Sequence, residues 1–217
     1  MKATNFIMIG TAIAAIGGAI WAFTSNLPVC LAGGMGDMKM GPMPRHMAMG
    51  GVLIGYRQAQ KIVNAADREG KVSGSKKHPV VVFHGKQIHI RMIAVEPGAP
   101  DQTFEIHKLV DPAISVKGGA KIDLTLLNMD YGPGMMHGVV IGKIKPPFHM
   151  VISLPVKHQL VSLPMIMPRS RKSLRKSLYY AESTHFKAPE KPGIYYYLCQ
   201  MPMHAKQGMY GKFIVRR

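Results

Sequence analysis

From Tyr195 to Val215 the chain reads Y-Y-Y-L-C-Q-M-P-M-H-A-K-Q-G-M-Y-G-K-F-I-V, which sets Cys199, His204 and Met209 at intervals of five residues. Ile194 to Leu198 before this loop and Tyr210 to Val215 after it are β-branched and aromatic, the composition of strands. Gly193 stops the preceding segment, while Pro202 and Gly208 make Gln200 to Gly208 a loop. A thiol, an imidazole and a thioether thus sit on one nine-residue connection pinned at both ends, short enough to meet at one point.

Taken singly, these residues have duller explanations. A cysteine near a strand end is usually a small buried hydrophobe, and a methionine is usually core filler. Together they form a soft nitrogen-plus-sulfur donor set, the kind preferred by a copper ion that alternates between Cu(I) and Cu(II). A fourth donor must come from elsewhere, and His137 in M-M-H-G-V-V-I is the candidate. It lies 62 residues before Cys199, so it belongs to a different strand and meets the loop only in the fold.

The loop C-Q-M-P-M-H-A-K-Q-G-M-Y-G-K-F-I-V resembles the ligand loop of the rusticyanins, blue-copper cupredoxins of acidophilic iron-oxidising bacteria. Gly70-Lys71-Val72-Ser73-Gly74, the stretch from Gly85 through Pro97-Gly98, Phe104-Glu105-Ile106-His107, and Gly118 to Leu126 are similar to that family in the same order. The resemblance spans about residues 50 to 217. It implies one type 1 copper held by His137, Cys199 and His204, with Met209 as the weak axial ligand. It also implies a one-electron carrier in the periplasm, with c-type cytochromes and a terminal cytochrome c oxidase as partners in iron-oxidising respiration. Two positions depart from the family. Gly138 stands where the family places a hydroxyl or amide residue bonded across to the ligand loop, and Met203 replaces a glycine just before the second histidine. Contacts of this kind tune a metal site, so the family's high reduction potential is not carried over.

The other segments point to an all-β domain, a cupredoxin-like Greek-key antiparallel sandwich. Val80 to Phe83, Ile88 to Val95, Thr103 to Val110, Ile114 to Val116 and Lys121 to Asn128 read as strands. Pro97-Gly98, Pro100, Asp111-Pro112 and Gly118-Gly119 punctuate them. His137 to Ile141, Phe148 to Ser153 and Leu178 to Phe186 follow. Many short strands with no long helix between them indicate a sandwich. Before it, Val52, Tyr56, Ala59, Val63 and Ala66 mark one face of an amphipathic helix over 52–66, ended by Gly70.

Residues 1–26 read as a membrane anchor. Lys2 precedes Phe6 to Phe23, eighteen residues without a charge, which just reaches the span of a bilayer. Cleavage of a signal peptide after Ala32 competes with this reading, and a lipoprotein site at Cys30 is weaker. Lys2 would stay cytoplasmic, placing the domain on the periplasmic side of the inner membrane. Residues 27–51 form a Gly- and Met-rich linker, with Met35, Met38, Met40, Met43, Met47 and Met49. Its thioethers support a rival reading, a periplasmic copper chaperone or store that handles Cu(I). Cys30 and Cys199 are the two cysteines; pairing them would remove the copper thiolate, so no disulfide is expected. No C-x-x-C pair is present for a structural zinc site.

The chain is strongly basic: 28 Lys+Arg stand against 11 Asp+Glu, a formal +17. That field suits a polyanionic partner. It equally suits an acidic compartment, where carboxylates protonate and lose their ion pairs, and the family resemblance favours this second reading. No nucleic-acid recognition motif is present. Residues 157–176 break the strand pattern as a basic insertion, and Arg169, Arg171, Lys172, Arg175 and Lys176 in it form a possible docking patch. Met135, Met136, Pro202 and Met203 would ring the metal as the surface where electrons leave, with Met201 and Tyr210 beside them. His84, His89, His107 and His185 read as surface or structural residues. The protein is expected not to be an enzyme and to bind no small-molecule substrate. Copper oxidases and nitrite reductases place a histidine beside the cysteine, whereas Leu198 and Gln200 flank Cys199 here.

Overall fold

Alternation of period two builds the layers. Ile122, Leu124 and Leu126 are buried while Lys121, Asp123 and Thr125 are not, and Ile88, Ile90 and Met92 repeat the pattern alongside them. A computed structural model describes residues 49–217. The strands are β1 (Met49–Gly50), β2 (Val52–Gly55), β3 (Lys71–Ser75), β4 (His78–Val82), β5 (Gln87–Ala94), β6 (Phe104–Ile106) and β7 (Leu109–Val110). They continue with β8 (Ala113–Lys117), β9 (Lys121–Asn128), β10 (His137–Gly142), β11 (Val161–Ile166), β12 (Leu178–Lys187), β13 (Gly193–Cys199) and β14 (Tyr210–Arg216). Helix α1 covers Tyr56–Ala66, and the single turn α2 covers His204–Gln207.

Two sheets face each other. The eight-stranded sheet has the order β1-β11-β10-β13-β14-β8-β4-β3, and the six-stranded sheet has the order β2-β12-β9-β5-β6-β7. Between them lies a core that includes Ile90, Phe104, Ile114, Leu124, Val139, Tyr197 and Phe213. The sandwich is mixed rather than purely antiparallel: β4 and β14 each run parallel to β8, and β5 runs parallel to β9. The reason is topological. Successive strands often cross to the other sheet, as from β8 to β9 and from β9 to β10, so seven of the twelve strand pairings join strands that are not consecutive in sequence.

Several boundaries differ from the sequence expectation. The helix placed over 52–66 begins at Tyr56, because Val52–Gly55 pairs with β12 instead. Its buried face of Ala59, Val63 and Ala66 packs with Ile93, Leu127 and Tyr179 on the outside of the smaller sheet. The basic insertion set at 157–176 contains β11, whose Val161, Leu163 and Met165 are buried. Pro164 hid that alternation from a reading that treats proline as a breaker. Thr103 to Val110 is two short strands, turned by His107 and Lys108 at positive φ. Phe148 to Ser153 is not a strand: Phe148 and Ile152, with Val156, cap Val140, Leu198 and Ala205 outside the larger sheet. Met49–Gly50, assigned to the linker, pairs with β11.

The segment at 6–23, Cys30 and the rest of the Met-rich linker lie outside the described residues. No helix among the described residues is long and apolar enough to cross a membrane.

Candidate metal centre

Strand pairing brings the donors together. Val139 of β10 sits opposite Cys199 of β13 in an antiparallel pair, so His137, two residues earlier, starts β10 beside the end of β13. Strand β14 pairs with β13 from Leu198↔Tyr210 onward, which places Met209 next to Cys199. The loop between closes on itself: the Cys199 N–H donates to the Met209 carbonyl at 3.1 Å, and the Met209 N–H donates to the His204 carbonyl at 3.0 Å. The turn α2 lifts His204 back over the cysteine.

The result is a closed cluster of donor atoms. Cys199 Sγ lies 3.8 Å from His137 Nδ1 and 3.6 Å from His204 Nδ1. The ligand atoms of these three residues all fall within 4.8 Å of one another. His137, Cys199 and Met209 are fully buried, and His204 is 5% exposed. The spacing fits a single ion. Metal–nitrogen and metal–thiolate bonds of about 2.0–2.1 and 2.3 Å, opened by about 120°, separate N from S by roughly 3.7 Å. Two imidazoles and a thiol in a trigonal array, with a buried thioether at hand, form the donor set of a type 1 copper site.

A second layer orients the first. The Nε2 of His137 is 2.9 Å from Asp130 Oδ2 in a buried contact. With copper bound, donation of the Nε2 proton to that carboxylate would leave the Nδ1 lone pair for the ion, the tautomer a metal needs. Asp130 is itself fixed. Its N–H donates to Asn128 Oδ1 at 2.9 Å, and its carboxylate accepts the Tyr131 N–H at 2.6 Å. The Asn128 amide in turn donates to the carbonyls of Met135 and Ile166. On the other wall, the Gln200 Nε2 amide lies within hydrogen-bond distance of three acceptors, the carbonyls of Val139 and Leu163 and Ser162 Oγ, tying the ligand loop to β10 and β11.

In the metal-free protein these contacts polarise the site. Burial alone would lower the pKa of the His137 imidazolium, but the bond to Asp130 and the nearby Cys199 lift it to about 9. Burial likewise opposes the Cys199 thiolate, yet hydrogen bonds from the two imidazoles bring the thiol down to about 6. Near neutral pH the sulfur is therefore held as thiolate, the form that binds metal.

His137, Cys199 and His204 come together in the fold, and Met209 is buried beside Cys199 in the chain pairing. Met135, Met136, Pro202 and Met203 are each partly exposed next to those ligands in the chain. The basic patch divides. Arg171, Lys172, Arg175 and Lys176 are exposed. Arg169 is not free to dock a partner: its N–H bonds the Asp130 carbonyl, its Nε bonds the Met129 carbonyl, and its guanidinium lies 5.0 Å from the Tyr131 ring centroid. It clamps the segment that carries Asp130. Asp130 and Gln200 were missed by sequence reasoning; an acid seven residues before His137, in a chain so short of acids, was the available signal.

The two departures also have structural content. Gly138 lies where the β10–β11 register shifts, and an added Cβ would meet the Met165 nitrogen at 3.0 Å and the Pro164 carbonyl carbon at 3.1 Å. No side chain fits there without moving β11. Met203 adopts φ 74°, a conformation that disfavours side chains.

No protein-family model matches the chain. Over 147 residues, 68% of this chain, it is 36% identical to rusticyanin of Acidithiobacillus ferridurans, covering 71% of that protein. Rusticyanin of Acidithiobacillus ferrooxidans is 33% identical over 147 residues, covering 68% of this chain and 85% of that sequence. Among solved structures, the rusticyanin from Thiobacillus ferrooxidans superposes with a TM-score of 0.65 at 27% identity, covering 78% of this chain and 99% of that one. A reduced rusticyanin gives 0.63 at 29% identity, covering 77% of this chain and 100% of that one. With the fold, the donor set and these relatives in agreement, the chain belongs to the rusticyanin family of blue-copper electron-transfer proteins and takes a single type 1 copper.

Proposed function

We propose that His137, Cys199 and His204 bind the copper with Met209 as the weak axial ligand, and that the protein carries one electron at a time in the periplasmic respiratory chain of an acidophile. The observation that carries this reading is the buried Sγ of Cys199 with an Nδ1 on either side, at 3.8 and 3.6 Å. Bound copper supplies the one-electron couple. The chain supplies the rest. Cys199 and the two imidazoles stand at ligand spacing in a buried part of the fold, so little rearrangement accompanies a change of charge. Asp130 holds the His137 ring, and the collar of Met135, Met136, Pro202 and Met203 excludes water while leaving His204 near the surface for electron exit. A closed ligand set of this kind favours a carrier over an enzyme.

In iron oxidation, c-type cytochromes and a terminal cytochrome c oxidase are the proposed exchange partners. Their approach would be guided by the positive charge of the chain, which raises association rates more than affinity. Residues 6–23 would hold the domain at the periplasmic face of the inner membrane; recovery of the intact N-terminus by mass spectrometry of the membrane fraction tests that placement. A redox titration at pH 2 to 5 followed by visible absorption tests the carrier reading. An intense thiolate-to-copper band that bleaches reversibly on reduction is expected. Colourless protein after copper addition and oxidation would favour the Cu(I) store instead.

A further inference from the structure

The loop that joins β11 to β12 lies at the copper end of the sandwich. It leaves β11 at Ile166, which pairs with His137. It enters β12 at Leu178, two residues before Tyr180, which pairs with Asn128. Its backbone is fixed from within. The Tyr179 hydroxyl donates to the Leu174 carbonyl at 2.7 Å, and Ser177 Oγ lies 2.6 and 2.9 Å from the carbonyls of Arg171 and Ser173. Leu174 opens a 3₁₀ turn, Leu174–Lys176, and packs on the apolar cluster under α1. Arg169 holds the other side through its bonds to Met129 and Asp130. A merely solvated loop needs none of these ties. Here they set the backbone that presents Arg171, Lys172, Arg175 and Lys176 as exposed cations.

The surroundings extend the patch. Helix α1, against which the turn packs, adds exposed Arg57 and Lys61 one turn apart. Residues 49–66 hold two cations and residues 167–181 hold five, and neither stretch contains an acid. None of the six exposed cations forms an ion pair among the described residues. Apolar side chains flank them. β1 is the outermost strand of one sheet and β2 of the other, with only Gly51 between the two. Along that edge Met49, Leu53 and Leu178 are exposed, and Leu53 and Leu178 share one face of the β2–β12 pair. Cations beside exposed apolar side chains, with no acid among them, suit a surface that lies in a membrane interface.

We infer that the 167–178 loop and the start of α1 dock on the surface of an anionic phospholipid bilayer. The six cations meet headgroup phosphates, and Leu53 and Leu178 settle among the headgroups. This rests on the membrane placement proposed above. The chemistry holds in an acidic compartment. A carboxylate loses its charge near pH ~4, whereas a phosphodiester stays ionised well below that, and guanidinium and ammonium groups keep theirs. The chain also enters the domain at Met49, on this same edge. A tether from residues 6–23 therefore delivers the patch to the bilayer, where weak headgroup contacts act at high effective concentration. Docked in this way, the copper end lies close to the membrane.

The test places the full chain, loaded with copper and reduced, in lipid discs at pH 4. The discs are phosphatidylcholine alone or with added phosphatidylglycerol, and each carries a gadolinium-labelled headgroup. Reduced copper is diamagnetic, so broadening of an amide signal reports its distance from the headgroups. With phosphatidylglycerol present, the amides of 171–176 and 57–61 should broaden more than in phosphatidylcholine alone, by about threefold or greater. The variant R171Q/K172Q/R175Q/K176Q should lose that difference. The variant K86Q/K117Q/K121Q/K187Q removes the same charge at the other end of the sandwich and should keep it. Equal effects of the two variants would mean that overall charge suffices, and the inference falls. Broadening that is the same in both lipids, or centred elsewhere on the domain, overturns it too. Absence of broadening in both lipids gives the loop to a protein partner and likewise overturns it. A chain that fails to enter phosphatidylcholine discs refutes the anchor at 6–23, while its association with the phosphatidylglycerol discs still judges the patch. The visible band of each oxidised variant confirms that the copper site is intact.

Discussion

Replacing Asp130 by asparagine asks how much the chain itself sets the potential of the metal. Asparagine keeps an oxygen that can accept the His137 Nε2 proton, so the 2.9 Å contact and the ring orientation are retained while the charge is removed. One imidazole and one metal–nitrogen bond place the carboxylate roughly 6–7 Å from the ion. At an effective dielectric constant of about 20, a unit charge at that distance is worth roughly 2.5 kcal/mol. The side chain of Asp130 is only 10% exposed, so screening by solvent removes little of this. A negative charge favours the more positive Cu(II) state, so removing it raises the reduction potential. At about 2.3 kcal/mol per 100 mV, the rise is on the order of 100 mV. Spectroelectrochemical titration of both proteins at pH 7 measures it, with the visible band confirming an intact site. D130A provides the contrast: it loses the orienting bond too, and copper affinity should fall about 10- to 100-fold. A shift in D130N below roughly 20 mV, or a fall, would refute the reasoning, because the Coulomb term would then be absent.

Other positions give sharper structural tests. M203G should stabilise the metal-free protein by up to about 1 kcal/mol, because φ 74° costs methionine more than the added freedom of glycine costs the unfolded chain; a melting temperature that does not rise contradicts this. G138S should destabilise by about 1–3 kcal/mol in denaturant unfolding, since its Cβ would press on the backbone of Pro164 and Met165. Asp111 sets a pH trend. Its pKa is about 8 in the folded protein, above the ordinary carboxylate value, so the folded state binds more protons and stability falls as pH rises from about 4 to 8. D111N should flatten that part of the stability profile; an unchanged profile would place the proton elsewhere.

The sequence determined the chemistry of this protein. Cys199, His204 and Met209 were legible because three donors on one short loop between strands need no tertiary information to be near one another. The strands with clean alternation, such as Lys121–Asn128, were legible for the same local reason. Where the tertiary structure decided the outcome, the deciding contact was remote. Val52–Gly55 became a strand because β12 offered it an open edge. Val161–Ile166 joined the sheet despite Pro164 because β10 and β1 flank it. Phe148 left the strand pattern to cap Leu198 and Ala205. Arg169 looked like one more surface charge until the fold folded it over Tyr131 and onto the carbonyls of Met129 and Asp130. Asp130 itself acquires its role only because β10 starts where the chain returns past it. A donor set on a single loop is written locally, but the groups that hold it in place are chosen by which strands end side by side.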